Sequence, residues 1–240
     1  KILKGTLWAD LTFSEFMMGF IIQNHKLIDL FRRKSIVVVG GHEVAKIPEA
    51  KFGALRNPLF AQIVKFILKH SDRVLTVAES LKEEAIHNIG VSGKNIKTIP
   101  RCYNSEFWKS CGQKENIVMT VAHIKDSMVK TKGLETFIEV AKYLPDVRFI
   151  LIGPYIDDSI NRLKSLASSN TEFPGFIPEA ELPKWYSRAK VYCQLSRYEG
   201  LPNALCEAML SECIPVGTEY CGIPLAMGDT GFHVPYGDVE

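Results

Sequence analysis

Two glutamates, Glu199 and Glu207, lie close together in the stretch Ser-Arg-Tyr-Glu-Gly-Leu-Pro-Asn-Ala-Leu-Cys-Glu. Pro202 suits the first position of a helix, where its missing N–H costs nothing, so we expect Glu199 on a loop and Glu207 inside the helix. The helix N-terminus between them offers unpaired N–H groups and a positive dipole end, which favour a bound phosphate or diphosphate. The two carboxylates can accept hydrogen bonds from hydroxyls on either side of it. These features together fit a nucleotide sugar.

The elements that position these residues alternate between strand and helix. Residues 35–41 are β-branched, apolar and ended by glycine, which is typical of a strand buried on both faces of a parallel sheet. Further strand-like runs are 73–77, 96–99, 117–121, 148–152, 191–195 and 213–216. Helical patterns cover 57–70, 134–144, 160–168 and 182–189, and Ser80 to Glu83 is typical of a capping box that opens another helix. The alternation predicts a doubly wound α/β fold.

The periodic pattern lapses between residues 100 and 112, and a new strand begins at Ile117. We therefore predict a partial N-terminal domain over residues 1–108 and a C-terminal domain over residues 109–240. The first domain is expected to hold only about two or three strands, too few for a complete open sheet. The chain also opens on Lys1 and closes without a helical pattern. We expect a fragment that lacks the start of the first domain and the C-terminal helices.

The composition is that of an ordinary globular protein. Hydrophobic residues make up 46% and charged residues 23%, and the net charge is +2, which argues against disorder and against a nucleic-acid partner. The six cysteines form no Cys-x-x-Cys pair, and Cys193, Cys206 and Cys213 stand in apolar runs typical of buried free thiols. The apolar run 16–22 is too short to span a bilayer. These features indicate a cytoplasmic protein, in solution or at the inner face of a membrane.

The chain resembles the retaining glycosyltransferases of family 4, which have the GT-B fold. The resemblance extends from the strand at Ile36 to Glu240. The most specific element is the Glu, seven residues, Glu signature, which Glu199 and Glu207 match with Gly200, Pro202 and Asn203 in place. Further landmarks follow in the order of the family, at residues 75–82, 97–100, 132–134, 149–153, 175–178, 214–216, 222–224 and 230–232. One such motif is weak evidence, whereas the ordered set is specific.

The resemblance implies two Rossmann-like domains that face each other across a cleft. The second domain binds the nucleotide-sugar donor, and much of the acceptor site belongs to the first. The implied reaction transfers a hexose, with retention, from a UDP- or GDP-linked donor to a glycan or a lipid-linked acceptor. It requires no cofactor and no metal.

Carried onto this chain, the resemblance assigns roles to particular residues. Glu207 holds the ribose hydroxyls, Glu199 a hydroxyl of the transferred sugar, and Lys132 the diphosphate, which it stabilises as a leaving group. Lys132 is also expected to be the cationic partner of the glutamate pair. The phosphates meet the turn after Glu199 and the backbone N–H groups that follow it, at Gly200, Leu201, Asn203 and Ala204.

The resemblance places the rest of the donor along other strand ends. Gly153 ends a strand where the donor passes, and Phe176 and Ile177 lie where the base is cradled. His123 stands where members of the family carry an arginine, and it can serve the diphosphate when protonated. His42 follows the strand 35–41 at its carboxyl end, where α/β sheets place ligands. The resemblance gives His42 a contact near the reacting carbon, and a structural loop histidine is the alternative.

Other interpretations stay open. The chain fits, as alternatives, a nucleotide-sugar-binding module without turnover or a GT-B enzyme of the epimerase type. Asp157 and Asp158 open a helical segment, so helix capping explains them better than a metal site. The aromatic and methionine cluster 13–20 fits core packing better than a membrane anchor. The basic, apolar segment 65–69 keeps peripheral membrane association open.

Overall fold

The computed structural model describes residues 10–15, 34–48 and 52–239 of the chain. These residues form a mixed α/β fold that separates into two compact units, Lys1–Arg101 and Cys102–Glu240. Trp108 is buried in the core of the second unit together with Ile117 and Tyr186. The domain boundary between residues 108 and 109 stays a prediction. The apolar run 16–22 and residues 16–20 of the aromatic cluster lie outside the described residues.

The first unit contains a four-stranded parallel sheet in the order β1-β2-β3-β4. The expectation of two or three strands was wrong, because Leu11–Glu15 pairs along the whole of β2. Its strands are β1 Leu11–Glu15, β2 Lys34–Val39, β3 Arg73–Thr76 and β4 Ile96–Thr98. Its helices are a 3-10 turn Ala54–Arg56, α1 Pro58–His70, α2 Glu79–Glu84 and a π-helical turn Ala85–Ile89 that continues α2.

Helices α1 and α2 begin in different ways. The side chain of Asn57 caps α1 by accepting hydrogen bonds from the N–H groups of Leu59 at 2.9 Å and Phe60 at 3.4 Å. The capping box predicted from Ser80 is wrong, because α2 has Ala78 at its N-cap and Ser80 lies inside the helix. The Ser80 hydroxyl is buried there without a hydrogen-bond partner. The side chain of Glu79 instead binds Lys82 and Thr98.

The second unit contains a six-stranded, fully parallel sheet in the order β10-β9-β8-β5-β6-β7. The strands are β5 Glu115–Val121, β6 Arg148–Ile152, β7 Thr171–Gly175, β8 Ala189–Gln194, β9 Ile214–Thr218 and β10 Phe232–Val234. The helices are α3 Asp126–Val129, α4 Leu134–Ala141, α5 Ser159–Leu166, a 3-10 turn Glu179–Glu181, α6 Leu182–Arg188, α7 Asn203–Leu210 and α8 Gly222–Met227.

Side chains of alternate strand residues enter two separate cores. Ile150 and Tyr192 join the core on one face of the sheet, and Phe149 and Cys193 join the core on the other face. Burial of both faces explains why these strands are continuous apolar runs in the sequence. Cys193 and Cys213 are buried free thiols, and burial raises their pKa to about 12 and about 11. Cys206 is only partly buried.

The strand order creates a switch point in the second sheet. The chain proceeds from β5 to β6 and β7 in one direction and then returns to place β8 on the other side of β5. The connections that leave β5 and β8 therefore diverge, and a crevice opens outside the carboxyl ends of these two strands. Ligands of doubly wound sheets bind in this crevice.

Asn57 at the start of α1 and Ser80 near the start of α2 give a matched stability test. Asn57→Ala should lower the free energy of unfolding by about 1 kcal/mol, because it removes a side-chain cap. Ser80→Ala should leave the free energy unchanged or raise it slightly, because the buried hydroxyl has no partner to lose. Urea unfolding of the two variants checks this pair. A larger loss in Ser80→Ala than in Asn57→Ala contradicts the observed caps.

Candidate functional site

The predicted donor residues of the second unit follow the carboxyl ends of its strands. His123 follows β5, Gly153 follows β6, Phe176 follows β7, and Glu199 follows β8. Since β5 and β8 are neighbours, the loops after them border the crevice at the switch point. The sheet thus brings together segments that are far apart in the sequence.

Glu199 is held at this point by three side-chain donors. Gln194 Nε2 donates to Glu199 Oε1 at 2.9 Å, and Ser196 Oγ donates to the same oxygen at 2.8 Å. Lys132 Nζ forms a short ion pair with Oε1 as well. The Glu199 side chain is only 13% exposed, so its charge is largely withdrawn from water. A carboxylate at this depth requires such donors.

Lys132 reaches Glu199 because two loops approach closely. Gly133 follows Lys132 with a φ of 64°, and a Cβ at Gly133 would lie 2.3 Å from the carbonyl oxygen of Leu195. The Arg197 N–H also donates to the Thr131 carbonyl at 2.8 Å. Lys132 was predicted as a diphosphate cation and as the cationic partner of the glutamate pair, and in the structure its partner is Glu199. The close approach of the two loops therefore places the Lys132 ammonium group against the Glu199 carboxylate.

The helix after Glu199 begins at Asn203, and Pro202 occupies the N-cap rather than the predicted first helical position. No side chain caps this end, so the first N–H groups of α7 have neither an intrahelical partner nor a side-chain cap. Tyr103 donates a hydrogen bond to the Asn203 side chain at 2.9 Å. Gly222 fits tightly under the turn, because a Cβ there would lie 1.8 Å from the carbonyl oxygen of Gly200.

Glu207 lies on α7 and is partly buried. Tyr186, which is fully buried, donates to Glu207 Oε2 at 3.1 Å. Burial raises the pKa of Glu207, the hydrogen bond from Tyr186 lowers it in part, and the negative charge of Glu179 raises it further. The Glu207 carboxylate therefore has less compensation than the Glu199 carboxylate.

The other predicted donor residues have different degrees of exposure. His123 is exposed, and Gly153 is buried against the preceding loop, because a Cβ there would lie 1.8 Å from the carbonyl oxygen of Ala122. Phe176 is 68% exposed. Ile177 is half-buried against the core that contains Tyr186. Leu201 and Ala204 are half-buried in the segment that leads into α7. Asp157 accepts hydrogen bonds from the N–H groups of Asp126 and Ser159. Asp158 occupies the N-cap of α5 but makes no side-chain cap bond, so the predicted capping role is wrong for Asp158.

His42 belongs to the first unit and follows β2 after two glycines. Its ring lies edge-on to Phe52 with the centroids 5.1 Å apart, and the side chain is exposed. His42 lines a pocket of about 470 Å³ together with Ala54, Asn57 and Phe60. The position after the strand was predicted, and the pocket was not.

Sequence patterns missed the residues that support the two glutamates. Gln194 is a polar residue within the apolar segment 191–195, and this contrast was the available signal. Tyr186 carried no signal, because it acts on Glu207 from a different helix. Ser196 carried none either, although it lies only three residues before Glu199.

A family model described as "Glycosyl transferases group 1" matches residues 115–240, which is more than half of the chain. The chain belongs to this family. The match includes Glu199, Glu207 and Lys132, and it covers the whole sheet of the second unit. The glycosyl transferases group 1 model therefore contains every predicted site residue except His42.

Curated relatives and solved structures of other glycosyltransferases are similar to this chain. The chain is 24% identical over 187 residues to an alpha-galactosylglucosyldiacylglycerol synthase of Streptococcus pneumoniae, covering 69% of this chain and 50% of the relative. It is 21% identical over 175 residues to a phosphatidylinositol N-acetylglucosaminyltransferase component of Arabidopsis thaliana, covering 70% and 39%. The chain thus spans about half or less of the length of these relatives.

The Anabaena protein HepE, solved in complex with UDP and glucose, matches with a TM-score of 0.83 and 15% identity, over 99% of this chain and 68% of that one. This likeness shows the fold. It confirms the predicted mixed α/β class of the GT-B kind, with parallel sheets.

The raised pKa of Glu207 gives a pH-dependent stability test. The folded protein holds a proton on Glu207 at a pH where the unfolded chain has released it, so this group makes stability fall as the pH rises above the ordinary glutamate range. Glu207→Gln should raise the melting temperature at pH 7, and the difference from the wild type should shrink as the pH falls. Glu219→Gln, an exposed control, should show no such trend. A destabilising Glu207→Gln at pH 7 contradicts this account.

Proposed function

We propose that the protein containing this chain is a retaining glycosyltransferase of family 4, which transfers a hexose from a UDP- or GDP-linked donor to a glycan or lipid-linked acceptor. The observation that carries the proposal is the arrangement around Glu199. A cation, a fixed carboxylate and an uncapped helix end occur together at the switch point of a parallel sheet. This combination suits a diphosphate flanked by hydroxyls.

The diphosphate is placed at the start of α7 in this proposal. The N–H groups of Leu201, Asn203 and Ala204 bind its oxygens, and the helix dipole adds to the attraction. Gly200 allows the turn before them to pass close to Gly222. Lys132 turns from Glu199 toward the phosphate oxygens, a short movement for a flexible side chain.

The hydroxyl groups of the donor are assigned to the two glutamates. Glu207 accepts from the ribose and Glu199 from the transferred sugar, while Phe176 and Ile177 border the base and Gly153 leaves room beside the phosphates. His123, when protonated, adds a second cation for the diphosphate. The approach of Glu179 to Glu207 supports placing the loop after β7 beside the nucleoside end.

The chemical step is the departure of the nucleoside diphosphate from the anomeric carbon. Lys132 and the α7 N-terminus stabilise the negative charge that develops on the leaving phosphate, which is the largest contribution expected of the protein. The acceptor hydroxyl enters on the same face and gives its proton to the leaving phosphate, so the configuration is retained and no separate base is needed. His42 contributes from the first domain near the reacting carbon. The proposal uses no cofactor and no metal.

The relatives support a choice of donor and acceptor. HepE was solved with UDP and glucose, which favours a UDP-hexose as the donor. Both curated relatives are named for products or substrates that are lipids, a galactosylglucosyldiacylglycerol and a phosphatidylinositol derivative, which favours a lipid-linked acceptor.

Removal of the proposed diphosphate cation should abolish turnover. In the intact protein, Lys132→Ala should lower kcat for hydrolysis or transfer of the hexose about 100-fold or more, as expected when one charge-stabilising donor is lost. Glu199→Ala and Glu207→Ala should lower kcat/KM to a similar extent. Release of labelled hexose from UDP-glucose, UDP-galactose, UDP-N-acetylglucosamine and GDP-mannose is the measurement.

Lys130→Ala is the matched control, because this neighbouring lysine is exposed. It should keep wild-type turnover. Unchanged turnover in both glutamate variants contradicts the proposal. Tight nucleotide binding without turnover by the wild type favours the binding module, and an epimerised nucleotide sugar as the product favours the epimerase.

We also propose a peripheral membrane surface on α1, at the cytoplasmic face of a membrane. Leu59 is 68% exposed and Phe66 42% exposed, and Lys65 and Lys69 are exposed on the same helix. An exposed apolar face bordered by lysines suits an anionic bilayer. None of the helices in the described part of the chain is long and apolar enough to cross a membrane. Association at the surface is the form consistent with this helix.

The double variant Leu59→Ser and Phe66→Ser should weaken binding to phosphatidylglycerol vesicles about tenfold or more, because each apolar side chain loses its contribution from burial. Cosedimentation of the intact protein with vesicles measures this. Ile86→Ser, which removes another partly exposed apolar side chain, is the control and should bind as the wild type does. Equal binding by the double variant would exclude α1 as the membrane surface.

A further inference from the structure

A line of buried polar groups leads from the end of β5 to Glu199. The N–H of Val121 donates to the hydroxyl oxygen of Tyr192 at 3.3 Å, and that hydroxyl donates to Gln194 Oε1 at 3.4 Å. Gln194 Nε2 then donates to Ser196 Oγ at 2.7 Å and to Glu199. Tyr192, Gln194 and Ser196 are all at most 5% exposed. Buried polar side chains in a strand are retained only when each has its partners.

The orientation of the Gln194 amide is fixed by Glu199. A carboxylate can only accept, so the NH₂ side of Gln194 faces Glu199 and its carbonyl side faces the Tyr192 hydroxyl. The Tyr192 oxygen accepts from the N–H of Val121, and the Tyr192 hydroxyl donates to Gln194 Oε1. A flipped amide would place its carbonyl oxygen against the Glu199 carboxylate.

Ser196 extends the same arrangement. Its hydroxyl accepts from Gln194 and gives its one proton to Glu199, and its carbonyl oxygen accepts from Thr218 on β9. The position of the Ser196 hydroxyl is therefore tied to two strands of the sheet. The bonds from Gln194, Ser196 and Lys132 all end on Oε1 of Glu199, and none of them is to Oε2.

We infer that Gln194 and Ser196 are positioning residues that fix the Glu199 carboxylate through Oε1, so that Oε2 is presented to a hydroxyl of the transferred sugar. This inference rests on the proposed function and deepens it. Lys132 alone cannot select the oxygen, because a flexible ammonium group follows the carboxylate as it rotates. Two neutral donors do select it, Gln194 at the last position of β8 and Ser196 in the loop directly after it, which Thr218 on β9 holds by its carbonyl oxygen. Gln194 and Ser196 also determine specificity for the transferred sugar, because a hydroxyl of that sugar must reach the one fixed oxygen, Oε2 of Glu199.

The two donors have a second consequence for Lys132. When this side chain turns to the diphosphate, Glu199 loses its cation while it is still largely buried. Gln194 and Ser196 remain bonded to Oε1, so the carboxylate keeps two hydrogen bonds and is not left uncompensated. Gln194 and Ser196 thereby allow Lys132 to leave Glu199 and bind the diphosphate.

The test separates binding of the sugar from binding of the diphosphate. Calorimetry on the intact wild type with UDP, GDP, UDP-glucose, UDP-galactose, UDP-N-acetylglucosamine and GDP-mannose identifies the sugar that adds most affinity over its own diphosphate. Gln194→Met keeps the size of the side chain and removes both donors. It should leave the affinity for the diphosphate unchanged and reduce the gain from the sugar about tenfold, the range for a hydrogen bond to a charged group. The kcat of Gln194→Met for hydrolysis or transfer of the hexose should fall together with the affinity gained from the sugar.

Further variants keep the outcome clear. Gln194→Glu places an acceptor against Glu199 and should remove more of the gain than Gln194→Met does. Ser196→Ala should give a smaller loss of the same kind. Thr171→Val is the control. Thr171 lies on strand β7, away from Glu199, and its buried hydroxyl has no hydrogen-bond partner, so this change should alter neither the affinity for the diphosphate nor the affinity for the nucleotide sugar. Melting temperatures confirm that each variant is folded.

Two results would overturn the inference while leaving the proposed function intact. One is an equal loss of affinity for the diphosphate and the nucleotide sugar in Gln194→Met and Ser196→Ala, which indicates a purely structural role. The other is no loss in either variant. A wild type that binds none of the nucleoside diphosphates overturns the proposed function, and the positioning role with it.

Discussion

The ion pair between Lys132 and Glu199 is the interaction on which the site depends. Both groups are withdrawn from water, with 24% and 13% of their side chains exposed, so each must be compensated by the other or by fixed dipoles. The cost of an unpaired charge at this depth explains why two neutral donors, Gln194 at the end of β8 and Ser196 just after it, are also directed at Glu199. The polar groups of the strand end are thus a requirement of the charge and not an accident of packing.

The sheet satisfies this requirement through close backbone approaches. Gly133 lies against Leu195, Gly153 against Ala122, and Gly222 against Gly200, and in each case a Cβ would lie within about 2.3 Å of a carbonyl oxygen. These three contacts join the loops that follow β5, β6, β8 and β9. Larger residues at these positions would separate the loops, and the ion pair would be lost with them.

Much of this fold follows from local pattern, and much of the site does not. The strands of residues 35–41 and 148–152 were predicted from their continuous apolar runs. Burial of both faces holds for β6, whereas β2 alternates buried and partly exposed residues. The strand β7 was missed because it contains Pro174, and β1 because Leu11–Glu15 is short and mostly exposed. Glu199 and Lys132 were both identified as candidates. Lys132 was predicted from the family resemblance as the cationic partner of the glutamate pair, and the structure places its ammonium group against Glu199. No spacing in the sequence encodes this contact, because it depends on two loops meeting at the switch point.

The two glutamates differ in how far the fold compensates their charge. Glu199 accepts from three side-chain donors, whereas Glu207 has the Tyr186 hydroxyl and lies near the negative charge of Glu179. Glu207 is therefore the less compensated carboxylate, and a ligand that donates hydroxyl hydrogens to it relieves a cost that the folded chain carries alone. Because such a ligand binds only the folded state, its binding adds stability by mass action. Under the proposed assignment of Glu199 to the sugar and Glu207 to the ribose, the carboxylate for the sugar is the better prepared of the two, so we expect most of the stabilisation on binding to come from the nucleoside.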